Sequence, residues 1–335
     1  MGLCLLALLL ACSREGGSDT TAAAQGATSW QPPEYGEAFR VHWRDGKAEL
    51  AGYDLRFPRY GEVREGTAVA VFVTEPFDSE TRVKPEGPTP GRFEAFKLNL
   101  TQDFATGVYD YNLMTSAFVQ LEQVHGRSPG SLTKVSFTGQ EWCGHAYQHA
   151  LFDADGVRSV HHSYFEGEAD GRDELSYPRD GFAEDGLLLW ARGLAGPRLD
   201  PGESVVVPLL RSLTDVRLRH VPLVWDRAVL ARKRGIRTEE VPAGRFEVEV
   251  RTARVTRKAG EKTYPSGAAF EGSREEWTFY VERAFPHRLV RWTRSDGIDA
   301  RLTGATRLPY WKRNGTKDVD LVRELGLEPR PARTP

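Results

Sequence analysis

The chain has 335 residues, enough for one large β domain or two ordinary ones. Its 45 basic residues nearly balance 47 acidic ones, and the densest basic run, Arg232-Lys233-Arg234 with Arg237, is short and lies in a strand-like segment, so the basic stripe that binds nucleic-acid phosphates is missing. Eight Trp, sixteen Phe and eleven Tyr against two Met favour an aromatic-rich sheet over a helical bundle.

Leu3 to Ala11 is an unbroken apolar run, shorter than the roughly 20 residues of a membrane-spanning helix and of the length of a signal-peptide core. It ends in Leu9-Leu10-Ala11-Cys12 and gives way to Ser13-Arg14-Glu15-Gly16-Gly17-Ser18. This resembles the bacterial lipobox: Leu three before the cysteine, a small residue just before it, a polar tether after it. The resemblance implies a signal peptide over 1–11, acylation of Cys12 as the first mature residue, and a lipidated flexible tether over 12–33. Ser13 in place of Asp implies an outer-membrane lipoprotein facing the periplasm. The pattern calls for Lys or Arg before the apolar run, and Met1-Gly2 supplies none, which points to a start upstream of Met1. Cys4 would be discarded, leaving Cys143 as the only free thiol in an oxidising compartment and no intrachain disulfide.

Strand-like segments follow, divided into an N-terminal antiparallel β region over 34–170 and a C-terminal one over 171–315. Phe39 to Trp43 alternates, and Asp45-Gly46 reads as a hairpin turn into Lys47 to Phe57. Thr67 to Thr74 is the most apolar strand, and Pro85 to Gly91 is a loop. Phe93 to Gln102 and Gly107 to Gln123 read as long strands, with Tyr109, Tyr111, Leu113 and Thr115 on one face. Ser128-Pro129-Gly130 turns the chain, and Leu132 to Phe152 pairs with Val157 to Glu166 across Asp155-Gly156. Asp180 to Leu194 reads as a helix, Ser204 to Leu210 as a short strand. Long strands return at Val216 to Lys233, Phe246 to Arg257, Glu275 to Glu282, His287 to Arg294 and Ile298 to Leu308. A short helix over Asp318 to Leu325, capped by Asp318 and ended by Gly326, opens the tail at 316–335. Serial strands joined by tight turns predict a mainly β protein, an antiparallel sheet curled into a barrel or half-barrel, and not βαβ units.

Two resemblances bear on this. Val241-Pro242-Ala243-Gly244-Arg245-Phe246, Trp277-Thr278-Phe279-Tyr280-Val281 and Pro286-His287-Arg288-Leu289-Val290-Arg291, in that order, resemble uncharacterised periplasmic proteins with LolA-like curved sheets. That implies such a sheet in the second half. Tyr109-Asp110-Tyr111-Asn112-Leu113-Met114-Thr115-Ser116 and Gln140-Glu141-Trp142-Cys143-Gly144-His145 resemble bacterial proteins labelled "septum formation inhibitor Maf". Maf proteins proper are cytosolic α/β nucleotide pyrophosphatases with an early Ser-x-Arg motif, a plan from which this chain departs.

One cluster invites chemistry. Read as a strand, Gln140 to His149 shows Glu141, Cys143, His145, Tyr147 and His149 on one face, about 6.6 Å apart at i and i+2. With Asp155-Gly156 as a two-residue turn, His149 faces His162, Tyr147 faces Tyr164, His145 faces Glu166 and Cys143 faces Glu168. A two-residue slip keeps this set on one face, and a one-residue slip destroys it. Three readings stand: a zinc or copper site at Cys143 and His145 with Glu141, Glu166 or His162; a thiolate at Cys143 activated by His145; or a polar, half-solvated face with Cys143 a small buried residue. His42, His125, His220 and His287 are scattered surface or core residues. No G-x-S-x-G, H-E-x-x-H, P-loop or dinucleotide fingerprint occurs. Beyond the possible metal, no cofactor is expected. The leading expectation is a membrane-anchored lipoprotein that holds an apolar ligand or docks an envelope partner, with no nucleic acid; an apolar-lined cleft of several hundred Å³ is what the ligand reading requires.

Overall fold

The structure is a computed structural model that describes residues 30–88, 90–258 and 274–329. The lipobox, Cys12 and most of the tether lie outside the described residues.

A short helix, α1 (Glu37–Trp43), precedes an uninterrupted antiparallel meander: β1 (Ala48–Arg59), β2 (Glu62–Asp78), β3 (Arg92–Thr106), β4 (Tyr109–Gln120), β5 (Leu132–Glu141), β6 (Gly144–Phe152), β7 (Gly156–Ser163) and β8 (Asp170–Ser176). A two-residue strand, β9 (Phe182–Ala183), then leads through a 3-10 turn into α2 (Leu187–Ala191), β10 (Ser204–Leu210) and α3 (Leu213–Arg219). The chain closes with β11 (Trp225–Arg232), β12 (Arg237–Val241), β13 (Gly244–Thr256), β14 (Arg274–Glu282), β15 (Leu289–Arg294) and β16 (Asp299–Leu308). The fold is mainly β, as the alternating pattern predicts.

All these strands belong to one sheet. β1 pairs with β2 on one side and β16 on the other, from Ala48 opposite Leu308 to Arg56 opposite Asp299. The two regions expected over 34–170 and 171–315 are therefore joined along their first and last strands. The sheet is antiparallel except where β9 runs parallel to β10. The α/β plan of Maf pyrophosphatases is not this fold.

Curling brings the two ends of the sheet near each other. Only Tyr177 to Gly181 separates β8 from β9, and the Trp225 indole on β11 donates to the Ser176 carbonyl at the end of β8, at 3.1 Å. Near the same gap Arg217 on α3 pairs with Glu168 at 2.9 Å, and the Thr214 hydroxyl meets that of Thr115 on β4 at 3.1 Å. The concave side is filled by α2, whose five residues are all buried, with Leu189, Trp190 and Ala191 fully so. Along β3, Leu98, Leu100 and Phe104 turn inward at every second position, as a pleated strand with one buried face requires. Tyr111, Leu113 and Thr115 do so on β4, as expected.

Several elements differ from the sequence reading. Of Asp180 to Leu194, read as one helix, only Leu187–Ala191 is α-helix, after the strand β9 and a 3-10 turn. Phe39 to Trp43 is helix: Phe39 and Trp43 suit period 2 and a four-residue helical step equally, and Val41, 66% exposed, shows that the helical step holds. The expected strand from Val216 is first α3, because Ser212 caps its N-terminus with a side-chain oxygen 3.0 Å from the Asp215 N–H. The expected strand from Leu132 to Phe152 is a hairpin, folded at Trp142-Cys143 so that Glu141 pairs with Gly144. Near the C-terminus a 3-10 helix spans Thr316–Leu325 and ends at Gly326, φ +67°. Its cap is Gly315, with Asp318 accepting the Gly315 N–H at 3.2 Å rather than serving as the cap. This helix docks on Gly52 and Gly304, where an added Cβ would collide with backbone around Leu325.

Gly52→Val should therefore detach the C-terminal helix from β1 and lower stability by about 1–3 kcal/mol, the range for overpacking. A urea midpoint unchanged by the substitution would show that the docking contributes nothing.

Candidate functional site

The hairpin cluster is dispersed. Cys143 sits in the β5–β6 turn with an exposed thiol, not a buried one. Glu141 accepts the Cys143 backbone N–H at 2.8 Å. The same carboxylate, as hydrogen-bond partner and as negative charge, raises the thiol pKa. Of the three readings, this contact does not favour a thiol activated by His145: the neighbouring carboxylate makes the thiolate harder to form. His145 is exposed, and Glu166 is exposed in the loop after β7. His149 Nδ1 lies 3.1 Å from the Tyr147 hydroxyl, and His162 Nδ1 bonds Asp170. Phe152 pairs with Val157, so the loop is Asp153 to Gly156 and the register is slipped by two from the expected one: His149 faces Val160 and Tyr147 faces His162. The side chains keep their common face, as parity demands, but that face points outward while Ala146, Gln148 and Ala150 point to the core.

The buried chemistry lies elsewhere. At one end of α2, Arg257 is enclosed by four carboxylates: it donates to Glu184 at 2.7 and 2.8 Å, Glu275 at 2.6 Å, Asp226 at 3.1 Å and Asp215 at 3.2 Å. Arg211 pairs with Asp226 at 3.0 Å, Arg294 with Asp215 at 2.9 Å, and Arg219 with Glu275 at 2.9 Å. The Trp277 indole donates to Glu184 at 2.9 Å. Burial alone would raise the Asp215 pKa; the charges of Arg219, Arg294 and Arg257 outweigh it and hold the carboxyl below its usual range. Likewise burial would lower the Arg257 pKa, and the facing carboxylates, Glu184 foremost, reverse the shift. Among the described residues, Glu184, Asp215 and Glu275 are the group whose ligand atoms are close enough to share a metal ion. Arg257 bonds all three, so a guanidinium already stands in the place a cation would take.

Next to this network Asp185 accepts the Leu213 N–H at 3.1 Å. It borders a small cleft of about 60 Å³ lined by Phe57, Leu188, Trp277, Trp292 and Ile298. Burial first, then the negative charges of Glu184 and Asp215, push its pKa up to about 8.

At the opposite end of α2 lies a larger cavity of about 380 Å³. Its walls include Phe39 and Trp43 from α1, Leu194 and Leu199 from the segment after α2, and Val281 from β14; Arg192, Arg232, Arg251 and His287 supply polar groups. Exposed Glu34, Ala38 and Phe285 reach its rim. Arg192 closes one side through a buried pair with Glu49 at 2.7 Å and through the His287 carbonyl at 2.9 Å. This cavity has the size of sites that hold small ligands, roughly 300–1,000 Å³.

The sequence reading passed over both groups, although a signal was present. Asp226 continues the inward phase of Ala228 and Leu230, Glu275 that of Trp277 and Phe279, Arg294 that of Trp292, and Arg257 and Arg251 that of Ala253 and Val255. A charge in the inward phase of an apolar strand needs a buried partner.

No family model matches the chain, and no curated protein matches it. Among solved structures, a beta-barrel-like protein of the domain of unknown function DUF1849 from Brucella abortus is similar, with 8% identity, 77% of this chain and 97% of that chain covered, and a TM-score of 0.42.

Two outcomes follow from the charged end. Arg257→Met leaves buried carboxylates uncompensated and should cost about 3–5 kcal/mol at neutral pH; acidification should recover part of the loss by protonating them. Asp185 holds its proton to about pH 8 in the fold, against an ordinary value of about 3.9. Between those values the folded protein binds a proton the unfolded chain has released, so stability should fall as pH rises, by up to about 1.4 kcal/mol per unit. Urea midpoints of wild type and Asp185→Asn from pH 5 to 8 check this; parallel curves would refute it.

Proposed function

We propose that this protein is a cell-envelope lipoprotein, held to the outer membrane by acylated Cys12, whose curved sheet binds a small, largely apolar ligand in the cavity between α1 and the segment that follows α2. The observation that carries the ligand reading is that cavity, about 380 Å³ in volume and walled by Phe39, Trp43, Leu194, Leu199 and Val281 beside a few convergent polar groups. Apolar walls supply affinity, and placed polar groups fix orientation. The concave face of the sheet is otherwise occupied by α2, so the ligand would lie at the end of the shell rather than along its length. The envelope location rests on the lipobox resemblance at Leu9-Leu10-Ala11-Cys12. A lipid on Cys12 and a tether to residue 33 would set the cavity within a short reach of a membrane surface.

Ala38 is exposed on α1 and borders the cavity, so Ala38→Trp fills it without disturbing the core. Native mass spectrometry of protein gently extracted from membranes should show a small-molecule adduct on the wild type and at least a tenfold lower occupancy on Ala38→Trp. Cys12→Ser should move the protein from the membrane fraction to the soluble one. Equal occupancy in both proteins would remove the cavity from the reading, and unchanged fractionation of Cys12→Ser would remove the anchor.

A further inference from the structure

The guanidiniums at the larger cavity are matched by carboxylates, with one exception. Arg192 pairs with Glu49 at 2.7 Å, Arg232 with Glu249 at 2.7 Å, and Arg198 with Glu34. The rim carboxylate Glu282 pairs with Arg288 at 2.7 Å. Arg251 has no carboxylate partner among the described residues. Its Nη1 donates to the Trp190 carbonyl at 2.9 Å, and its Nε is buried with no hydrogen-bond partner. Neighbouring β-strand positions explain why it points here: Arg251 shares the inward phase of β13 with Ala253 and Val255 and meets the end of α2. An unpaired, mostly buried cation is costly, and an arriving anion removes that cost. Burial, followed by the nearby Arg232 charge, has already pushed its pKa down to about 10; a bound anion would push it back up.

We propose that the cavity takes a single-chain amphiphile with an anionic head, a carboxylate or a phosphate, and that Arg251 receives the head while the chain lies against Phe39, Leu194, Leu199 and Val281. This rests on the reading of the cavity as a ligand site and adds the charge of the ligand. With Nη1 held by the Trp190 carbonyl and Nε buried, Nη2 is the donor left for an arriving oxyanion, in a charge-assisted hydrogen bond. The apolar wall rewards the chain. A bare inorganic anion would use only the Arg251 end of the site, and an uncharged chain only the other.

The test measures affinities of the purified mature protein for dodecanoate, dodecyl phosphate, dodecanol and inorganic phosphate, each below micelle-forming concentration, by calorimetry. Dodecanoate and dodecyl phosphate should bind about 10- to 100-fold tighter than dodecanol, as a charge-assisted hydrogen bond predicts. Arg251→Gln should erase that difference and leave dodecanol binding unchanged. Arg251→Lys, which keeps the charge without the fork, should fall between them and stands in if Arg251→Gln fails to fold by circular dichroism. Dodecanol binding as tightly as dodecanoate would overturn the anionic head and leave the apolar site standing. Inorganic phosphate binding as tightly as dodecyl phosphate would overturn the chain. No binding of any chain to the wild type would overturn both.

Discussion

Arg257 is the point on which one end of the molecule depends. Its guanidinium bonds carboxylates from the turn before α2, from α3, from β11 and from β14, so a single side chain ties four separate segments to the end of β13. Coulomb attraction at these distances in a dry interior is strong, but each ion has also given up its water. The network is therefore best understood as a specifier of arrangement: any other packing of α3 against β14 and β11 would leave a charge buried and alone. Arg294 and Arg219 extend the same logic to Asp215 and Asp296.

The sheet could not curl this way without something to curl around. A concave β surface of this extent must bury its apolar face, and α2 fills that space with Leu187, Leu188, Leu189 and Trp190. The helix is too short to be stable by itself. Its ends face two polar regions, one saturated with ion pairs around Arg257, the other opening into the cavity beside Arg251. The contrast between them is chemical. At the first, every arginine has carboxylates to hold; at the second, Arg251 has a backbone carbonyl and no carboxylate among the described residues. A saturated network holds structure, and an unsaturated group beside a cavity is suited to binding.

Much of the architecture was legible in the alternation of apolar residues. β10 spans Ser204–Leu210 as read, and β14 differs from its expected span by a single residue. Asp296-Gly297, a turn-forming pair, lies in the tight connection between β15 and β16, with Gly297 at φ +115°. The hairpin face of His145, Tyr147 and His149 also survived a two-residue slip, because parity is conserved under such slips. What failed there was chemistry: proximity along a strand did not make Glu141, Cys143, His145, His149, His162 and Glu166 into one site, since that strand folds back at Trp142-Cys143 and its polar face looks outward.

Local pattern by itself determined most of the strands, several turns and the mainly β class, because pleat period and turn chemistry act over a few residues; β8 and β12 were not legible in it. The same local pattern carries the expectation of a lipid on Cys12. Tertiary structure alone decided that Phe39 and Trp43 lie on a helix, that β1 meets β16, and that Glu184, Asp215, Asp226, Arg257, Glu275 and Arg294 converge. Convergence of that kind depends on strand register summed around a curved sheet. No short stretch of sequence contains it, although an inward-facing charge on each strand records that a partner must exist.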